Sequence, residues 1–213
     1  EAGGDINATV TIHQHAAPSP SPPDPAQPWN LPHLLSACFT GREKELADLR
    51  ATLTAQGKAA LQGMPGVGKT QLALKYAAIH RQDYAAGLWV SAASRESLLS
   101  GFAALAGVLN LPEQNEADQE KAVAAVRRWL NTTDQAWLLI LDNADELDLL
   151  HDFLPSGRGH CLLTTRAQGV RALATPEPVR KMESADGALL LLRRAGRLEQ
   201  GQPLDAARAG DRE

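Results

Sequence analysis

With 213 residues, the chain can bury a sizeable core in one domain and still have length to spare. At 44% hydrophobic residues it is too apolar for wholesale disorder, and a net charge of −4 gives no electrostatic case for nucleic acid as a direct partner. Two cysteines, Cys38 and Cys161, make no disulfide framework, and the longest wholly apolar run, 136–141, is far too short to span a bilayer. Nothing resembles a signal peptide, so a cytoplasmic location without a membrane partner is expected. A chain that opens on Glu1 is expected to be a piece of something longer.

Residues 1–37 differ in character from the rest. Ile6, Ala8, Val10 and Ile12 alternate with polar residues, a pattern that allows one short strand in need of a partner. His13 and His15 fall on one face of it, too few for a metal site. The proline-rich run 17–25, followed by Pro28, is stiff and extended, and reads as a flexible leader or linker rather than a folded element. Asn7 and Asn131 each begin a glycosylation triplet that carries no meaning in a cytoplasmic protein.

The nucleotide-binding unit is expected over residues 38–182. Thr40 with Glu43 reads as a capping box, Leu46, Leu49 and Leu53 follow at helical spacing, and Gly57 stops that helix. Residues 58–62 form a first strand, weak because two of them are alanine. A helix follows with Leu72, Tyr76, Ala77 and Ile79 or His80 on one face. Residues 87–90 give a second strand. Leu98, Phe102, Leu105 and Leu109 mark one helix, and Val123, Val126 and Leu130 another. Strands three and four read as 137–141 and 161–164, and a fifth as 178–182. Short apolar runs alternating with helices predict a three-layer α/β fold with a five-stranded parallel sheet covered on both faces. In such a sheet, ligands bind at the carboxyl ends of the strands.

The segment Gly63-Met64-Pro65-Gly66-Val67-Gly68-Lys69-Thr70 sits at such an end. It fits Gly-x-x-x-x-Gly-Lys-[Ser/Thr], the phosphate-binding P-loop of NTPases, which arises by chance in on the order of one per cent of chains this long. Its glycines let backbone N–H groups converge on a polyphosphate. Lys69 would reach the β- and γ-phosphates of ATP, and the Thr70 hydroxyl would hold Mg²⁺. Asp142 ends the most hydrophobic strand, where a carboxylate holds Mg²⁺ through water. Asn143 follows in the place where many such ATPases carry a base; an amide orients water without taking its proton, so slow hydrolysis is expected. Asp145 or Glu146 could substitute, or could cap the next helix. Past strand four, the hydroxyls of Thr164 and Thr165 could sense the γ-phosphate, and Arg166 could pair with its charge.

The ordered set Phe-Thr-Gly-Arg-Glu (39–43), the P-loop, Leu-Leu-Ile-Leu-Asp-Asn-Ala-Asp (138–145) and Leu-Leu-Thr-Thr-Arg (162–166) resembles the NB-ARC domain of the STAND group of signalling ATPases, bacterial members in particular. The resemblance covers residues 39 to about 195. It implies that Phe39, Thr40, Gly41 and Arg42 line an adenine pocket. Gly63, Pro65, Gly66, Val67, Gly68, Lys69, Thr70 and Gln71 make the phosphate cradle, and Arg166 acts as the sensor. It also implies a switch that rests with ADP, exchanges it for ATP, opens and oligomerises. Missing ARC and winged-helix parts, sensor repeats and an effector domain of the same protein are the implied partners. Residues 183–213 resemble the first helix and stub of the helical ARC subdomain. Gly201-Gln202-Pro203 mimics the family's Gly-x-Pro contact but follows its helix too closely to be it.

Two other functions share these residues. One is the ATPase module of a transcription regulator with DNA binding supplied by a neighbouring domain. The other is a turnover P-loop ATPase or kinase; kinases need a lid rich in arginine, which is not found, and motors need the base that Asn143 replaces.

Overall fold

Four of the five strands form where the apolar runs lie: β1 (Lys58–Gln62), β2 (Ala86–Ser91), β3 (Trp137–Asp142) and β4 (His160–Thr165). The computed structural model describes residues 27–33, 35–199 and 201–207. The alternating run 6–12, His13, His15 and the proline-rich run fall outside them. All strand pairs are parallel, in the order β2-β3-β4-β1-β5.

The fifth strand differs from the sequence expectation. β5 is Thr175–Pro178 rather than 178–182. It pairs with β1 from Ala59↔Thr175 to Gln62↔Pro178, and the Val179 N–H donates to Gln62 O at 2.7 Å. Because that N–H turns inward, alternation along the strand turns Pro176 and Pro178 outward, where a missing N–H costs nothing. Proline is tolerated on a border strand, and Thr-Pro-Glu-Pro offers no apolar run to reveal one.

Alternation along the buried strands splits the core in two. Leu139, Leu141, Cys161 and Leu163 face α3 (Arg95–Val108) and α4 (Gln119–Thr132), where Phe102, Leu105, Val126 and Leu130 meet them. Leu138, Ile140, Leu162 and Leu61 face α1 (Glu43–Gln56) and α2 (Lys69–Ile79), and pack on Leu49, Leu53, Leu72 and Tyr76. This is the expected three-layer arrangement. Ser94 and Asp118 cap α3 and α4 by accepting from Ser97 N and Glu120 N. A short α5 (Leu147–Leu150) follows β3.

Three local expectations are corrected or narrowed. Thr40 does not cap α1: Gly41 and Arg42 both take left-handed backbone (φ 67° and 73°), the helix begins at Glu43, and the Thr40 hydroxyl donates to Cys38 O instead. Of the two candidates for the end of the inner face of α2, Ile79 points away from the core and is 53% exposed, while His80 lies against Tyr76 with ring centroids 4.6 Å apart. Residues 27–31 belong to the folded unit rather than to a flexible leader. Gly87 N donates to Pro28 O at 2.9 Å and Asn30 N to Gly87 O at 3.1 Å, while the Asn30 amide both accepts from Trp89 N and donates to Trp89 O. This strap closes the open side of β2. A Cβ on Gly87 would lie 2.3 Å from the Trp29 ring, so the strap seats only over glycine.

After β5 the chain leaves the sheet and forms α6 (Ser184–Arg194). Leu192 packs with Leu198 and Ala207, and with Leu189 and Leu204, in a small cluster separate from both sheet faces. Thus the apolar side of α6 packs apart from both faces of the sheet.

Candidate functional site

Every strand ends at the same edge, and the residues past those ends converge there. The P-loop leaves β1 through Gly63, whose N–H donates to Thr165 O at the tip of β4. A Cβ on Gly63 would meet Val179 O at 2.5 Å, so the loop passes between β4 and β5 only because this residue has no side chain. Gly66 and Gly68 take left-handed backbone (φ 75° and 99°) and face open space, which turns the loop into the first residue of α2. The N–H groups of this first turn have no partner within the helix, and the helix dipole adds positive potential at the same point. An anion is the complement.

Lys69 lies over the loop with its ammonium donating to Gly63 O (2.9 Å) and Met64 O (3.0 Å). Burial pushes its pKa below the ordinary range; the Asp145 charge opposes this and Arg166 adds to it. Thr70 donates from its hydroxyl to Asp142 Oδ1 at 2.8 Å, and the buried Thr164 hydroxyl donates to the same oxygen at 2.6 Å. Thr164 in turn accepts from Asn143 N, which fixes Asn143 in left-handed backbone (φ 59°) just past β3.

Two chambers meet across the loop. The smaller, about 530 Å³, is lined by Lys69, Thr70, Asn143, Asp145, Glu146 and Arg166, with Pro65, Gly66 and Gly68 forming the wall it shares with the larger. Asp142 stands behind Thr70 with 9% of its surface exposed. The larger, about 930 Å³, is lined by Phe39, Thr40 and Arg42, by Val67, Gln71 and Leu72, and by Met182, Leu190 and Arg194. It is the more apolar of the two and is large enough for a base and sugar. The set is thus divided: an apolar cleft for a planar group beside a polar chamber for phosphates.

Arg42 ties the cleft together. Its guanidinium reaches Glu45, donates to Arg180 O at 2.7 Å after β5, and approaches Val67 O in the P-loop at 3.4 Å. Gly41 lines neither chamber; a Cβ there would lie 2.6 Å from Asp186 Oδ2 of α6. Arg193 of α6 donates to the Thr40 hydroxyl at 2.9 Å. The Gly41–Asp186 and Thr40–Arg193 contacts hold α6 over the segment 39–42. Gln71 accepts from Ser36 N at 2.8 Å, joining α2 to the end of the leader.

Arg166 is paired with Asp145: its backbone N–H donates to Oδ1 and its Nε to Oδ2, each at 2.6 Å. Burial alone would raise the Asp145 pKa, but the Arg166 N–H and guanidinium outweigh it and hold the carboxyl below the usual range. The Asp145 carboxylate is thus engaged by Arg166, while Glu146, the other candidate base, lines the same chamber. The hydroxyls of Thr164 and Thr165 are buried and committed to Asp142 and Asp145, so the expectation that they sense a phosphate directly is corrected. Gly201-Gln202-Pro203 lines neither chamber; Gln202 O accepts from Arg193 instead.

Met182, Leu190, Arg194, Ser36 and Cys38 were not singled out in the sequence as lining residues. Their only sequence signal is proximity to the ends of the motif-bearing region.

The donor set fits Mg²⁺ carried by a nucleotide: Thr70 and Asp142 supply hard oxygens side by side. Among the described residues, no group of three or more His, Cys, Asp or Glu could hold a metal by itself. No helix of the described residues is long and apolar enough to cross a membrane.

The family model of the NB-ARC domain matches residues 40–196. A nucleotide-binding leucine-rich repeat (NLR)-like protein of Hyaloscypha variabilis is 29% identical over 192 residues, covering 76% of this chain and 19% of that protein. The chain therefore spans about a fifth of the length of this relative. Among solved structures, Cdc6p from Pyrobaculum aerophilum superposes with a TM-score of 0.54 at 18% identity, covering 85% of this chain and 61% of that one. The ORC1 protein of Aeropyrum pernix, solved in complex with DNA, gives 0.52 at 18% identity, covering 78% and 52%. At these identities the structural likeness concerns the fold alone.

Proposed function

The chain belongs to the NB-ARC family of P-loop nucleotide-binding domains, and on that premise we propose that it is the ADP/ATP switch of a larger signalling or defence protein. One observation carries the reading. The cleft of Phe39, Arg42 and Met182 opens onto a chamber that holds Lys69, Thr70 and Arg166 and puts the amide of Asn143, rather than a carboxylate, directly after Asp142, with Glu146 as the one lining carboxylate outside an ion pair among the described residues. Asn143 cannot take a proton, and Asp145 is engaged by Arg166. Such a site binds and discriminates; it does not turn over quickly.

In this reading the P-loop N–H groups cradle the polyphosphate and Lys69 reaches its β-phosphate, and the γ-phosphate where one is present. Thr70 and Asp142 hold Mg²⁺, which would supply charge neutralisation at the phosphates. Phe39 to Arg42 enclose the base, with Leu190 and Arg194 of α6 closing over it. The Thr40–Arg193 bond makes the position of α6 sensitive to what fills the cleft. Exchange of ADP for ATP then shifts the balance between closed and open forms, and the open form self-associates.

The test is to heat the purified protein and identify the released nucleotide by chromatography. ADP at near one equivalent supports a resting switch. An empty site combined with steady turnover of several ATP per second would sink it in favour of an enzyme.

A further inference from the structure

The Asp145–Arg166 pair occupies the wall of the smaller chamber, beyond Lys69 and Thr70. Asp145 also accepts from the buried Thr165 hydroxyl, so its carboxylate is set by three bonds, all from the tip of β4. Arg166 is the looser partner: its side chain is 59% exposed, against 27% for Asp145. Glu146 lines the same chamber, and Asp142 stands just behind it. Charge is therefore distributed unevenly. The cations Lys69 and Arg166 face carboxylates that at least match them, and one of the two cations is already neutralised.

We infer that Asp145 sets the preference of this site for the diphosphate over the triphosphate, by holding Arg166 and by presenting a fixed negative charge in the chamber that a terminal phosphate must enter. This deepens the nucleotide-switch reading and rests on it. A nucleoside diphosphate is served by the P-loop N–H groups and Lys69, and ends before the chamber wall. A triphosphate extends into it and meets an Arg166 whose Nε is held by the Asp145 carboxylate at 2.6 Å, so that much of its charge is already neutralised. If Arg166 leaves, Asp145 remains anchored by the Arg166 backbone N–H and Thr165, now unpaired beside a new anion. Both effects oppose the triphosphate and neither touches the diphosphate. The shift in the Asp145 pKa agrees in direction, since the pair is held in its charged form.

Asp145→Asn tests this. The amide oxygen still accepts the Arg166 N–H and the Thr165 hydroxyl, while the charge and the grip on the guanidinium are lost. Dissociation constants for ADP and for Mg–ATP are measured by calorimetry on parent and variant. The expected result is that the ATP-to-ADP affinity ratio rises about tenfold, a modest figure because the pair is partly exposed. An unchanged ratio overturns the inference. A fall overturns it too, because Asp145 would then be positioning Arg166 for the phosphate rather than withholding it. In addition, Arg166→Ala should weaken Mg–ATP binding more in the Asp145→Asn background than in the parent; equal losses also count against it. If Asp145→Asn does not fold, Asp145→Ser keeps an acceptor and carries the same comparison. Failure of the parent protein to bind either nucleotide would instead refute the underlying nucleotide reading, so the two failures are distinct.

Discussion

The Thr70 hydroxyl donates to Asp142 Oδ1 at 2.8 Å, joining the first turn of α2 to the tip of β3. This contact ties the helix that follows the P-loop to the most buried strand of the sheet. Asp142→Asn preserves an acceptor for both Thr70 and Thr164 but removes the charge that Mg²⁺ needs. Mg–ATP affinity should fall by about tenfold or more, and ADP affinity measured in EDTA should fall much less. Calorimetry with and without Mg²⁺ reads both. Equal losses would show that Asp142 serves the loop rather than the metal.

Lys69 bonds to the carbonyl oxygens of Gly63 and Met64, contacts that a phosphate would replace. Lys69→Ala should reduce ADP and ATP affinity by about a hundredfold, the size of a lost charge-assisted bond or two. The melting temperature should move little, because no core contact is removed. A collapse of the fold in circular dichroism would mean that the ammonium props up the empty loop.

The strap of residues 27–31 should be worth measurable stability. Gly87→Ala drives a methyl group into the Trp29 ring and is expected to cost about 1–3 kcal/mol, read from the urea midpoint. In a Trp29→Ala background the same substitution should cost much less, because the ring is gone. Additive losses would show that Gly87 matters for another reason.

A hydrogen-bond chain runs from the buried Tyr76 through Tyr84 to the half-buried His160 Nδ1, at 3.0 and 2.7 Å, at the end of the sheet away from the site. Burial, and then the nearby Arg50 charge, pushes the His160 pKa below its usual 6.5. The folded protein therefore binds this proton less readily than the unfolded chain. The contribution is fully present above pH 6.5 and is lost as pH falls through the lowered folded value. Stability to urea should decline between pH 7.5 and 5.5, and His160→Gln should flatten that decline. A parent profile that stays level over this window would refute the assignment.

The sequence exposes β1 to β4 because a strand buried on both faces must be apolar throughout, as Trp137 to Leu141 are. It hides β5, whose two prolines face outward. The capping motif at Thr40 misleads because Gly41 and Arg42 adopt left-handed backbone before the helix begins, and local pattern carries no record of that. The P-loop, Asp142 and Arg166 are legible because each ends or follows a strand, and one rule places all three at the same edge. The partner of Asp145 is not legible: the residue could cap, act as a base or pair, and only the adjacency of the β3 and β4 tips decides it. Leu190 and Arg194 reach the cleft because α6 is held over Phe39 to Arg42, with Met182 just before it, through a contact between residues 153 apart in sequence.

The two borders of the sheet share a property with bearing on assembly. On one side, the N–H and C=O of both Gly87 and Trp89 are consumed by residues 28–30. On the other, the outward positions of β5 are Pro176 and Pro178, which have no hydrogen to donate. A neighbouring molecule therefore finds little of a ladder to extend at either margin among the described residues, which disfavours joining copies by continuing one sheet into the next. Crowding such domains together would bring side-chain surfaces rather than strand backbones into contact, so molecules that meet at these margins could part again without untangling their strands.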